Sequence, residues 1–219
     1  MINAIIPIWK PVDWTSFDVV KKIRNQINPT KVGHAGTLDP FAEGVLLICT
    51  GQMTKAVESF MDQEKEYIAD IRLGEETDTL DNTGKIVKTL KVPEFNKETI
   101  LNILNAFIGI IKQEPPMFSA LKVNGKRLYK SARKGVIIPR KKRDVKIYDI
   151  KLISFNRNTI TLKVICGRGT YIRSLAKDLA EKMKTVGHLV SLKRTRIGEY
   201  KEKHCIEINK FPEWISAKT

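Results

Sequence analysis

The sequence predicts an α+β fold carried by a mixed, mostly antiparallel sheet, and two interleaved periodicities predict it. Period-two alternation marks "KEYIADIRLG" and the pair "VKIYDIKLISF" and "TITLKVICG", which flank the turn "NRN" as a long hairpin. Apolar stripes at helical spacing alternate with these strands along the chain. Hairpins interleaved with packed helices indicate α+β rather than a parallel βαβ array.

Taken in order, "SFDVVKKIRNQI" has Ser16 as a candidate N-cap and Phe17, Val20, Ile23 and Ile27 on one face, so it predicts an amphipathic helix with Lys21, Lys22 and Arg24 outward. Val45 to Thr50 predicts a buried strand and Thr54 to Met61 a short helix. The strand at 65–74 places Tyr67, Ala69 and Ile71 on one covered face. "ETDTLDNTGK" is a polar connection, and "GKIVKTLKV" predicts a strand that ends at Pro93. Lys97 to Phe107 predicts a helix whose stripe is Ile100, Leu101, Leu104 and Phe107. After the hairpin, "GTYIRSLAKDLAEKM" aligns Tyr171, Ile172, Leu175, Ala176, Leu179 and Met183, and "HLVSLKRTRIGEY" closes as a strand. No internal repeat or low-complexity tract interrupts the 219 residues, which predict one domain over 1–219.

Composition sets the partners. Thirty-nine Lys+Arg against 24 Asp+Glu give a net charge of +15, so a positive field favours nucleic acid or an anionic membrane. No apolar run is long enough to span a bilayer, and "MINAIIPIWKP" lacks a basic n-region and a long h-region, so the expectation is a cytoplasmic protein without membrane contact. Cys49, Cys166 and Cys205 are odd in number and far apart, which predicts reduced thiols. His34, His188 and His204 show no metal-ligand spacing, so neither a metal nor a cofactor is expected. No apolar seam suggests an oligomer, and a monomer is expected.

Basic residues crowd the region 115–143, where Lys122, Lys126, Arg127, Lys130, Arg133, Lys134, Arg140, Lys141, Lys142 and Arg143 surround Phe118 and Tyr129. Aromatic side chains among cations favour a nucleic-acid contact over a merely solvated loop.

The stretch "KVGHAGTLDPFAEGVLLICTG" sets one acid, Asp39, in a glycine-spaced turn before an apolar run. Read alone, Asp39 caps a turn before Pro40. A phosphate loop is excluded because G-x-x-x-x-G-K-[ST] is missing and a carboxylate repels an anion. Paired-carboxylate hydrolysis needs a second converging acid, but Pro40 restricts the backbone between Asp39 and Glu43, and no other acid stands near a comparable motif. A single nucleophile suits the stretch better.

"GHAGTLDPFAEGVL" with "TGQMTK" resembles the signature of the TruB family of tRNA pseudouridine synthases. "KPVDWTS", "KEYIADIRLGEETDTLD", "PPMFSALKVNGKRLYKSARKG", "CGRGTYIRSLAKDLAEKM" and "GHLVSLKRTRIG" resemble further family blocks in the same order across nearly the whole chain. The resemblance implies the pseudouridine synthase fold with a central RNA-binding cleft, and isomerisation of uridine to pseudouridine at position 55 of the tRNA T loop by base flipping. It covers the catalytic domain, and the RNA-binding PUA-type domain of many bacterial members is not expected after it.

By the same resemblance Asp39 is the nucleophile, with the sugar C1′ as the centre of attack in a glycal-type route, and Arg173 pairs with it. Tyr67 stacks on the flipped uracil and takes a proton from the sugar. His34 stands at the entrance to fill the vacated stack, and Leu192 lines the uracil pocket. Lys10 and Lys122 serve the structure or the RNA backbone. From residues alone, Arg173 lies at the edge of its helix's apolar stripe, and the alternatives are a turn histidine for His34, an ordinary sheet aromatic for Tyr67 and a core leucine for Leu192. An RNA-folding helper with little catalysis is the alternative function. A guide-RNA-dependent synthase is a third possibility, disfavoured by the short chain and its bacterial-type blocks.

Overall fold

A computed structural model describes residues 2–27, 30–119, 121–123, 125–132 and 134–217; the side chains of residues 122, 123, 126, 127 and 130 lie outside the described set. In chain order the first half contains β1 (Ile5–Lys10), α1 (Ser16–Gln26), β2 (Val32–Ala35), β3 (Glu43–Thr50), α2 (Val57–Asp62), β4 (Lys65–Leu73), β5 (Glu75–Thr77), β6 (Ile86–Thr89) and α3 (Lys97–Asn105). There follow β7 (Gly109–Gln113), β8 (Lys122–Val123), β9 (Lys126–Arg127), α4 (Leu128–Ala132), β10 (Arg143–Phe155), β11 (Thr159–Cys166), α5 (Ile172–Lys182), β12 (Gly187–Ile197), β13 (Tyr200–Lys201), β14 (Ile206–Glu207) and α6 (Phe211–Ser216). The chain divides into two compact units, Met1–Ile68 with Leu192–Thr219, and Ala69–Ser191, so that β4 and β12 each contribute residues to both.

In the first unit β14, β1, β3 and β12 lie side by side in that order, with β2 also on β3 and β13 on β12. The β1–β3, β2–β3 and β12–β13 pairs are antiparallel, whereas β1–β14 and β3–β12 are parallel. Both faces of β3 are covered, which is why "VLLIC" reads as an unbroken apolar run rather than an alternation. Leu46 and Ile48 join Ile6 and Ile8 of β1 against Val19, Val20 and Ile23 of α1 and against Phe211. Val45, Leu47 and Cys49 face the other way, onto Met53, Val57 and Phe60.

Helix α1 starts one residue earlier in its chemistry than expected. Thr15, not Ser16, is the N-cap, closing a capping box with Asp18, and Ser16 is buried and used elsewhere. Phe17 also leaves the predicted stripe: at about 100° per residue it falls about 60° outside the arc of Val19, Val20 and Ile23, and it is 59% exposed. The short helix expected at Thr54–Met61 is a 3₁₀ segment, Gly51–Ala56, followed by α2.

In the second unit β4, β11, β10 and β7 are neighbours in that order, and β10 pairs antiparallel with both β11 and β7. The predicted hairpin is present, with two irregularities in its register. Ile100, Leu104 and Phe107 are buried as expected of α3, but Leu101 is 38% exposed and lies off the stripe. β6 is four exposed residues, shorter than the strand expected up to Pro93. Strands β1 and β7 have no counterpart in the sequence reading. Among the described residues no helix is long and apolar enough to cross a membrane, and the three cysteines are reduced thiols, Cys49 and Cys166 buried and Cys205 half-buried.

Gly44 shows where side chains have no room. Its φ is +125°, and a Cβ there would stand 2.3 Å from the Arg194 carbonyl oxygen, the residue it opposes across β3 and β12. Gly169, at φ +82°, has open space around it. Gly44→Ala should therefore lower the melting temperature well beyond Gly169→Ala, by roughly 2 kcal/mol or more against roughly 1 kcal/mol. Thermal unfolding of the two variants side by side checks the difference.

Candidate active site

Asp39 lies in the first unit, in the connection between β2 and β3. That connection belongs to no helix or sheet, yet each carbonyl from Gly36 to Pro40 has a donor. Arg194 of β12, 1% exposed, donates from Nη2 to Gly36 O at 3.1 Å and from Nη1 to Thr37 O at 3.3 Å, while its Nε reaches Val45 O at 2.7 Å. Ser16 Oγ donates to Leu38 O at 3.2 Å and accepts from Leu38 N at 2.9 Å. Ala42 N donates to Asp39 O at 3.1 Å, and Asp13 N to Pro40 O at 2.8 Å. Buried polar groups demand such partners, so the loop is fixed by its own hydrogen-bond requirements.

Lys10 completes the grip. Its side chain is fully buried at the end of β1, and Nζ donates to Pro11 O at 2.8 Å, Trp14 O at 2.7 Å and Pro40 O at 3.3 Å. Burial, and then the Arg194 charge, bring its pKa down to about 8, against the opposing attraction of Asp39, Asp13 and Asp18. A buried cation facing these carboxylates supplies Asp39 with a positive field from within its own unit.

The other predicted residues of this unit are His34, Tyr67 and Leu192. His34, on β2, is half-buried; burial and the Arg194 charge lower its pKa, and its Nδ1 has no hydrogen-bond partner among the described residues. An imidazole kept neutral in this way is suited to stacking rather than to ion pairing. Tyr67, on β4, is 8% exposed, and Leu192, on β12, is 5% exposed.

Arg173 belongs to the second unit, where the edge of its helix's apolar stripe is buried rather than open to solvent. The residue is 3% exposed, because the first turn of α5 is enclosed by the 79–81 turn and the 114–118 segment. Nη1 donates to Thr79 O at 2.9 Å and Nη2 to Phe118 O at 2.7 Å, and Nη1 lies 3.4 Å from Asp81 Oδ2. Asp81 is itself held by Thr79 Oγ1 at 2.7 Å, Thr83 N at 3.0 Å and Thr83 Oγ1 at 2.5 Å, all on Oδ1. Tyr171 N donates to Gln113 Oε1 at 2.8 Å and Ser174 Oγ to Glu114 O at 2.7 Å, which fixes the start of the helix that carries Arg173. The planar guanidinium thus has carbonyl and carboxylate partners that a lysine ammonium cannot match.

Lys122 lies on β8, and its side chain is outside the described residues, as are those of Lys126, Arg127 and Lys130; Arg133 is outside them altogether. Within the described part of the basic cluster, Arg140 is paired with Glu114, while Lys134, Lys141, Lys142 and Arg143 are exposed. No three His, Cys, Asp or Glu side chains converge as metal ligands among the described residues.

Sequence reasoning missed Arg194, Ser16 and Asp81. Arg194 sits in the quoted block "GHLVSLKRTRIG" with other basic residues, and only its inward strand position separates it from them. Asp81, in "TDTLDNTG", had the signal of an acid inside a turn of hydroxyl residues.

Residues 24–172 match the model described as TruB family pseudouridylate synthase (N terminal domain), and residues 173–219 that described as tRNA pseudouridylate synthase B C-terminal domain. The tRNA pseudouridine synthase B of Phocaeicola vulgatus is 45% identical, over 95% of this chain and 92% of that protein. That of Listeria welshimeri is 44% identical, over 99% of this chain and 73% of its own length. Among solved structures, one chain of a Cbf5-Nop10-Gar1 complex superposes with a TM-score of 0.74 at 27% identity, covering 98% of this chain and 56% of that one. The α+β fold expected from the motifs is that of the pseudouridine synthases. The chain belongs to the TruB family of pseudouridylate synthases.

Two outcomes test the frame around Asp39. Arg194→Met removes the guanidinium donor from the Gly36, Thr37 and Val45 carbonyls, so urea unfolding should show a loss of roughly 3 kcal/mol or more. Between about pH 8 and the ordinary 10.5, Lys10 is deprotonated in the folded chain and protonated in the unfolded one. The unfolded state binds more protons in that window, so wild type should gain stability relative to Lys10→Met as the pH rises through it; parallel stability curves would contradict the burial assigned to Lys10.

Proposed function

We propose that the chain isomerises uridine to pseudouridine in tRNA, at position 55 of the T loop, with 1–219 as the catalytic domain. The observation that carries the reading is the loop of bonded carbonyls that contains Asp39 in a member of the TruB family. The names of the relatives at 44–45% identity support tRNA as the substrate.

The reaction breaks the N1–C1′ bond, turns the uracil and joins C5 to C1′; N1 gains a proton and C5 loses one, with no net redox change. An ionised carboxylate and exclusion of water serve this chemistry. Asp39 acts at the sugar C1′, and Lys10 is the buried cation of the frame that holds its loop. On the family resemblance, Arg173 is assigned as the guanidinium partner of the nucleophile, Tyr67 as the stacking and proton-accepting phenol, His34 as the ring that braces the gap left by the flipped base, and Leu192 as a wall of the uracil pocket. Lys122 and the exposed cations up to Arg143 are assigned to the RNA backbone, which makes binding salt-sensitive.

Wild type should form pseudouridine in a synthetic T-arm hairpin and in tRNA, and Asp39→Asn at equal folded concentration should form none. Arg173→Lys should also lose product, because one ammonium cannot replace the planar fork. Tyr67→Phe should retain RNA binding and lose turnover. If wild type binds both RNAs and modifies neither, the enzyme reading falls and the RNA-folding one replaces it.

A further inference from the structure

The exposed side of α1 carries features that folding does not use. Phe17 is 59% exposed, and Lys21 and Arg24 are exposed beside it. At about 100° per residue these three fall within an arc of about 60° on one helix face. Next to them lies an open hollow of about 430 Å³ lined by Asp13, Trp14, Asp18, Lys21, Lys22 and Asn25. The Lys22 ammonium stands 5.5 Å from the centroid of the Trp14 ring and 3.2 Å from Asn209 Oδ1.

The acids on this rim are already engaged. Asp18 Oδ2 accepts from Thr15 N at 2.9 Å and from Thr15 Oγ1 at 2.6 Å, and Lys10 attracts both Asp13 and Asp18. The hollow is also tied to the catalytic loop inside one unit: Asp13 N and Lys10 Nζ both bond Pro40 O, and Lys10 Nζ bonds Trp14 O.

We infer that α1 is a second RNA-contact platform, on which Phe17 stacks an unpaired base of the substrate RNA while Lys21 and Arg24 neutralise its phosphates. Exposed aromatic faces between cations bind single-stranded nucleic acid in this way, with little sequence preference. The inference rests on the reading of tRNA as substrate.

The test compares wild type with the triple variant Phe17→Ala, Lys21→Gln, Arg24→Gln, using full-length tRNA. The variant should melt with wild type and modify saturating tRNA at the wild-type single-turnover rate. Its Kd should rise about tenfold or more, and its salt slope should fall by about 1.5, as expected for two lost phosphate contacts. Phe17→Trp, with both cations kept, should bind as wild type. A triple variant with wild-type affinity and salt slope would overturn the platform. Failure of wild type itself to bind or modify tRNA would instead sink the substrate reading, so the two failures are distinct.

Discussion

Everything at the candidate site depends on how the backbone from Gly36 to Pro40 is satisfied. A loop outside regular structure must find donors for its carbonyls, and here a buried guanidinium, a buried ammonium, a hydroxyl and two backbone amides provide them. Ionised side chains are costly to bury, and Arg194 and Lys10 are each offset by three bonds to backbone carbonyls. The result is a loop backbone at Asp39 that is fixed by bonds within the protein. Such preorganisation serves the proposed role of Asp39 as a nucleophile.

The second unit solves a related problem with a different partner. Arg173 also bonds two carbonyls, but its charge is answered by Asp81, and Asp81 in turn is pinned by two threonines. Such linked networks resist piecemeal change, because loss of one member strands the others. The helix that carries Arg173 is anchored from β7 by Gln113 and from the next residue by the Glu114 carbonyl. Both arginines are therefore held through backbone as well as side chain, a geometry that favours arginine over lysine.

Much of the fold was legible because its elements obey simple periods. The hairpin of β10 and β11, the covered face of β4 and helix α5 all follow from alternation or helical spacing. β1 and β7 were not legible: "IIPIWK" contains a proline and "GIIKQ" is short, and their pairing is decided by distant strands. The cap of α1 was misread by one residue because Thr15 and Ser16 are chemically alike, and only the tertiary bond from Ser16 to Leu38 separates them. Asp39 stood out through its motif. Arg194 did not, since a cation in a basic strand carries no local sign that it points inward. Arg173 was placed at a helix edge by a wheel that ignores what covers the helix's first turn.

The most direct measurement is amide hydrogen exchange across residues 36–42 of the free protein. Leu38 N and Ala42 N are bonded inside this frame, so the account predicts that both exchange only on global unfolding, as slowly as the core of β3. Exchange at the rate of an open surface loop, with β3 still protected, would show that Asp39 is not held in place before RNA binds.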